Sequence, residues 1–71
     1  MHIGDLIRLK RKSHRMTQKE LSKILYSSTY RICRLEKEPR ILKNFTFDEI
    51  SRLGKILDID IDLLIEERNK L

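Results

Sequence analysis

Two threonines, Thr17 and Thr46, each stand three residues ahead of a glutamate, Glu20 and Glu49, where apolar residues begin to return at helical spacing. In such a capping box the threonine hydroxyl accepts the backbone N–H of the glutamate, and the carboxylate accepts the threonine N–H. Two helix starts are thereby set, at Gln18 and near Phe47. With only two glycines and one proline, few other places interrupt a helix, and a turn-rich β fold is disfavoured.

The remaining elements follow from periodicity. Ile3, Leu6 and Ile7, with Lys10 at the edge, share one face of a first helix over about Ile3 to Lys12, leaving Arg8, Arg11 and Lys12 on the other. A second helix runs from Gln18 to about Leu25 and buries Leu21, Ile24 and Leu25. Tyr26, Ser27 and Ser28 form a break, and Ser28 caps a third helix from Thr29 to Lys37. That helix buries Ile32 and Leu35 and turns Thr29, Tyr30, Arg31 and Arg34 outward. Glu38 to Phe45 reads as an irregular loop anchored by Ile41, Leu42 or Phe45. A fourth helix buries Phe47, Ile50, Leu53, Ile56 and Leu57. Ile59, Ile61, Leu64 and Ile65 mark a fifth, with Asp60 as N-cap and Asp62 in its first turn. The expectation is one all-α domain over residues 1–71, a compact five-helix bundle.

A chain of 71 residues has room for one modest core and none for a separate catalytic lobe. The single cysteine, Cys33, rules out an internal disulfide and suits a reducing cytosol. No apolar run approaches the ~18 residues of a membrane span, and Met1 to Asp5 lacks the layout of a secretory signal. A cytoplasmic location is expected. Met1 to Lys43 carries twelve Lys or Arg against four Asp or Glu, whereas Asn44 to Leu71 carries four against seven. A positive N-terminal part of this kind steers polyanions. Aromatic residues among the basic ones are scarce, which disfavours a single-strand stacking platform.

The second and third helices form the central constellation. Leu21 and Ser22 face inward on one, Ile32 and Leu35 on the other, and the small Ser22 permits a close crossing. With Ile3-Gly4, Leu6-Ile7, Leu9 and Arg11 before them, Met16-Thr17-Gln18-Lys19-Glu20-Leu21-Ser22 and Ile32-Cys33-Arg34-Leu35-Glu36 at their ends, and Ile50, Leu53, Ile56-Leu57, Ile59, Ile61-Asp62 and Leu64 behind, the chain resembles the helix-turn-helix proteins of phage-repressor and Cro type, the XRE family. The resemblance covers nearly the whole chain. It implies a lambda-repressor-like five-helix fold with a central helix-turn-helix, the third helix lying in the DNA major groove and the second bridging the backbone.

Carried residue by residue, the resemblance places base reading on Ser28, Thr29, Tyr30, Arg31 and Arg34, and a phosphate contact on Gln18. Arg34 can fork to guanine O6 and N7, and Thr29 can offer a hydroxyl or a methyl to a base edge. Arg15, Thr17, Lys19, Lys37, Arg40 and Lys43 are expected to supply further phosphate contacts and a salt-dependent affinity. The implied function is that of a sequence-specific, double-stranded DNA-binding transcriptional regulator, a repressor of bacterial or phage origin associated with the nucleoid. The family's usual glycine at the break is Tyr26 here. Either the second helix runs on, or Tyr26 takes a positive φ that a bulky residue resists. Glu38 also stands where a glycine is usual, before a loop about three residues longer than the common pattern.

Enzymatic readings find little support. His2 and His14 have no companions at metal-ligand spacing, and no nucleophile triad, paired carboxylates or glycine-rich phosphate loop occurs. No metal or other cofactor is expected. Ile59, Ile61, Leu64, Ile65 and Leu71 offer more apolar surface than a fifth helix needs, so a two-fold homodimer matched to a palindromic operator is expected there. The alternative on the same scaffold is a protein-interaction module, such as an antitoxin or antirepressor.

Overall fold

Each α-helix begins on a side-chain cap that the sequence supplies. The computed structural model describes residues 2–70, and in it five α-helices and one 3₁₀ segment follow in chain order: α1 (Ile3–Ser13), α2 (Gln18–Ile24), α3 (Thr29–Lys37), the 3₁₀ segment (Pro39–Asn44), α4 (Phe47–Leu57) and α5 (Ile61–Asn69). No strand occurs among the described residues. The capping boxes at Thr17–Glu20 and Thr46–Glu49 both close as expected. Ser28 accepts the Arg31 N–H at the head of α3, and Asp60 accepts the Asp62 N–H at the head of α5. A third box starts α1, where His2 Nδ1 accepts the Asp5 N–H and the Asp5 carboxylate accepts the His2 N–H. Caps of this kind stabilise a helix by on the order of 1 kcal/mol each.

The inward faces of these helices meet in one apolar cluster. Ile7, Leu21, Leu25, Ile32, Leu35, Leu42, Phe45, Ile50, Leu53, Leu57 and Leu64 are essentially inaccessible to solvent, and Ile3 and Ile59 close its margin. Two glycines permit the closest approaches. A Cβ on Gly4 would lie 2.6 Å from the Glu36 carbonyl oxygen and 2.7 Å from that of Leu35, so α1 lies against the end of α3 only because Gly4 is bare. Gly54 plays the same part between α4 and the Ile59–Ile61 stretch.

Several expectations are corrected by this packing. Arg11 continues the Ile3–Ile7 stripe and is buried, not outward. Phe47 stands largely in solvent, at 60% exposure, and Ile24 is about one-third exposed, because each lies at a helix end at the margin of the core. The segment after α3 is ordered as a 3₁₀ helix, with Leu42 and Phe45 as its buried anchors. Pro39 gives it a preset φ at its first position, and also drives Glu38 before it out of the helical region. Tyr26 does take the left-handed conformation, at φ 53°, and so does Asp58 after α4, at φ 55°. Among the described residues no helix is long and apolar enough to cross a membrane.

Candidate nucleic-acid interface

Helix α3 has two unlike flanks, and its surroundings explain why. Its inner flank, Ile32, Leu35 and Glu36, is buried against α1 and α2. Its outer flank runs from Tyr30, at 68% exposure, through the half-buried Arg34 to the exposed Lys37. Ser28 and Thr29, at its start, are also exposed. Of the predicted base readers, then, Ser28, Thr29, Tyr30 and Arg34 stand on accessible surface.

The inner flank is fixed by a buried ionic cluster. Arg11 Nε donates to Glu36 Oε2 at 2.6 Å, and Arg11 Nη2 donates to Oε1 at 3.1 Å. Arg11 Nη1 donates to the Met16 carbonyl at 2.7 Å. Gln18 Nε2 donates to Glu36 Oε1 at 3.1 Å, so one carboxylate ties α1, the start of α2 and α3 together. Among the described residues no buried side-chain polar atom lacks a partner. Charges removed from water are tolerated only when so fully bonded. The role the resemblance gives Gln18, a phosphate contact, therefore competes with an internal hydrogen bond.

Arg31 departs furthest from expectation. Its Nη1 donates to Glu49 Oε2 at 2.7 Å and to Ser27 Oγ at 3.1 Å, and its Nη2 donates to the Asn44 carbonyl at 3.0 Å. Its guanidinium also lies 4.1 Å from the centre of the Phe45 ring. The side chain folds back from the base-reading position and latches the start of α3 to the start of α4. Partial burial alone would push the Glu49 carboxyl up. The hydrogen bonds from Arg31 and from the Thr46 N–H outweigh that effect and hold it below the usual carboxylate value.

The exposed residues are pre-oriented as well. Ser22 Oγ donates to the Lys19 carbonyl at 2.7 Å, which spends its only proton, so across the 3.3 Å gap to Thr29 the threonine hydroxyl is the donor. Thr29 thus keeps only acceptor capacity on its oxygen for an outside partner. Arg34 Nη2 donates to Glu38 Oε2 at 2.7 Å, and Nη1 lies 3.4 Å from the Tyr30 hydroxyl. Glu38 first, then Tyr30, raises the already high pKa of Arg34, which keeps its charge. Arg15, Lys19, Lys37, Arg40 and Lys43 are all exposed, and none of them pairs with a carboxylate among the described residues. Thr17 is occupied as the cap of α2.

The expected dimer surface is only partly present. Leu64 is fully buried and Ile59 nearly so, because both close the core beneath α4 and α5, while Ile61 and Ile65 are half-buried. Leu71 lies outside the described residues. On α5 Leu63 is partly exposed, and elsewhere, on α1, Leu9 stands at 57% exposure.

What sequence reasoning missed was the Arg11–Glu36 pair, and a signal for it existed. Each sits one helical repeat beyond apolar residues on an inward stripe, Ile3 and Ile7 in one case and Ile32 in the other, with opposite charges. Compared with known protein families, curated proteins and solved structures, the chain matches none.

Proposed function

We propose that this chain binds double-stranded DNA sequence-specifically through a helix-turn-helix formed by α2 and α3, and acts as a transcriptional regulator of repressor type. The carrying observation is the contrast between the flanks of α3: one locked by Ile32, Leu35 and Glu36, the other offering Ser28, Thr29, Tyr30 and Arg34 to solvent. A rigid rod with an open polar face has the dimensions and chemistry to enter a major groove. Arg34 reads a base edge, Thr29 and Tyr30 add contacts beside it, and Arg15, Lys19, Lys37, Arg40 and Lys43 take phosphates. Arg31 acts as a structural latch in this reading. A two-fold homodimer on a palindromic operator would use Ile61, Leu63 and Ile65, with Ile59 and Leu64 left to the core. The resemblance to the XRE family supports the same reading.

The second reading, a protein-interaction module of antitoxin or antirepressor kind, is favoured by one observation: the apolar Leu9 stands 57% exposed on α1. Titration of a duplex library at two salt concentrations separates them. Steeply salt-dependent binding with enrichment of particular sites supports the DNA-binding reading. Absence of duplex binding at low salt removes it and favours the interaction module.

A further inference from the structure

Tyr30 and Arg34 lie one turn apart on the outer flank of α3, and Glu38, the residue that caps its C-terminus, follows four residues further on. Arg34 is held between the other two: Glu38 Oε2 accepts from Nη2 at 2.7 Å, the Tyr30 hydroxyl lies 3.4 Å from Nη1, and the guanidinium carbon is 5.7 Å from the centre of the Tyr30 ring. The molecule treats its other arginines near α3 differently. Arg11 and Arg31 are tied to carboxylates on other elements and lie partly or wholly inside, whereas Arg34 and Glu38 both keep about half of their side-chain surface in solvent. Lys37, beside them, has no carboxylate partner among the described residues. A carboxylate on the groove-facing flank is unfavourable for binding a polyanion in general, so its presence there calls for a compensating role.

Resting on the DNA-binding reading above, we propose that Glu38 is a specificity-determining positioning residue: it buttresses Arg34 so that the fork meets guanine O6 and N7, and it denies the same arginine to phosphates. The guanidinium has five N–H groups, of which Glu38 and Tyr30 take two. The three that remain suffice for a bidentate acceptor pair without releasing the carboxylate. Phosphate lies to the side of the groove, and reaching it requires Arg34 to swing away from Glu38 into the repulsion between that carboxylate and the backbone. The buttress therefore lowers affinity for arbitrary duplex and removes the ordering cost of the guanine contact, and both effects widen discrimination.

The test compares the wild-type chain with Glu38→Ala, Glu38→Asp and Arg34→Ala, each confirmed as folded by circular dichroism, on the preferred duplex selected from a random pool and on a scrambled duplex. Glu38→Asp keeps the charge and shortens the reach, which separates positioning from electrostatics. Glu38→Ala is expected to bind scrambled duplex on the order of threefold to tenfold more tightly at low salt. Both Glu38 variants are expected to lose about tenfold in the ratio of preferred to scrambled affinity. Replacing one guanine of the preferred site by 7-deazaguanine should weaken the wild type and leave Arg34→Ala unaffected. If Glu38→Asp keeps the wild-type ratio, or no guanine shows an Arg34-dependent loss, the buttress is overturned while the DNA-binding reading stands. If the wild type selects no duplex at all, both fall together.

Discussion

Glu36 is a single carboxylate on which three elements converge, through Arg11 from α1 and Gln18 from α2. Removing one member of a buried ion pair strands the other and costs about 3–5 kcal/mol, against a total of roughly 4–10 kcal/mol for a chain of this length. Glu36→Ala should therefore leave the protein close to unfolded in urea titrations followed by circular dichroism. Replacing both partners, Arg11→Met with Glu36→Leu, should recover most of the loss, because no buried charge then remains unpaired. Glu49 carries a pH-dependent term of defined sign. Its folded value lies below the ordinary one, so its contribution is present above the unfolded carboxylate pKa of about 4.3. That contribution is lost as pH falls through the folded value. Thermal melts should show Glu49→Gln less stable than wild type at neutral pH, with the gap closing on acidification. At this scale the sequence was informative about caps and silent about direction. Thr17, Ser28, Thr46 and Asp60 each cap the helix their spacing indicates, because a cap is a local event within a few residues. The inward turn of Arg31 depends on Glu49, Asn44 and Phe45, none of which is within its own helix.

The elements themselves were legible wherever a periodic stripe ran long enough, and α3 begins and ends where its pattern places it. The 3₁₀ segment was not, since six residues with one proline carry no helical period to read. Nor could Ile24 or Phe47 be seen as exposed: periodicity reports the face of a helix, while burial at a helix tip depends on which neighbour extends past it. The contact between α1 and α3 tests how tightly the outer flank of α3 is aimed. A methyl on Gly4 meets two backbone oxygens, at 2.6 and 2.7 Å, that no side-chain rotation can clear. Gly4→Ala should cost about 1–3 kcal/mol by overpacking, read as a lowered urea midpoint with an unchanged slope. The break between α2 and α3 stores strain of another kind. Tyr26 is left-handed and 83% exposed, and its ring carries the Arg52 guanidinium at 4.9 Å, a contact that offsets part of the backbone cost.

Across the whole chain, cations are concentrated in the first forty-three residues and anions in the remainder. On the proposed function, Lys43→Ala should weaken binding to every duplex alike and reduce the salt slope by about one, as measured by anisotropy titration over a range of salt concentrations. Equal loss on preferred and scrambled duplexes marks it as a phosphate contact, and a selective loss assigns it to base reading. The charge division was visible in the sequence, but the division of labour among the arginines was not, because composition does not distinguish a paired cation from a free one. The Glu38–Pro39 junction carries a final consequence. Proline disfavours the helical region for the residue before it, and Glu38 sits at ψ 96°. The end of α3 is thus favoured by local covalent geometry, in addition to whatever tertiary contacts support it. In fluorinated alcohol, where frayed ends elsewhere lengthen, residues 29–37 should form a nascent helix whose growth past Lys37 is opposed by the steric cost of the Glu38–Pro39 junction.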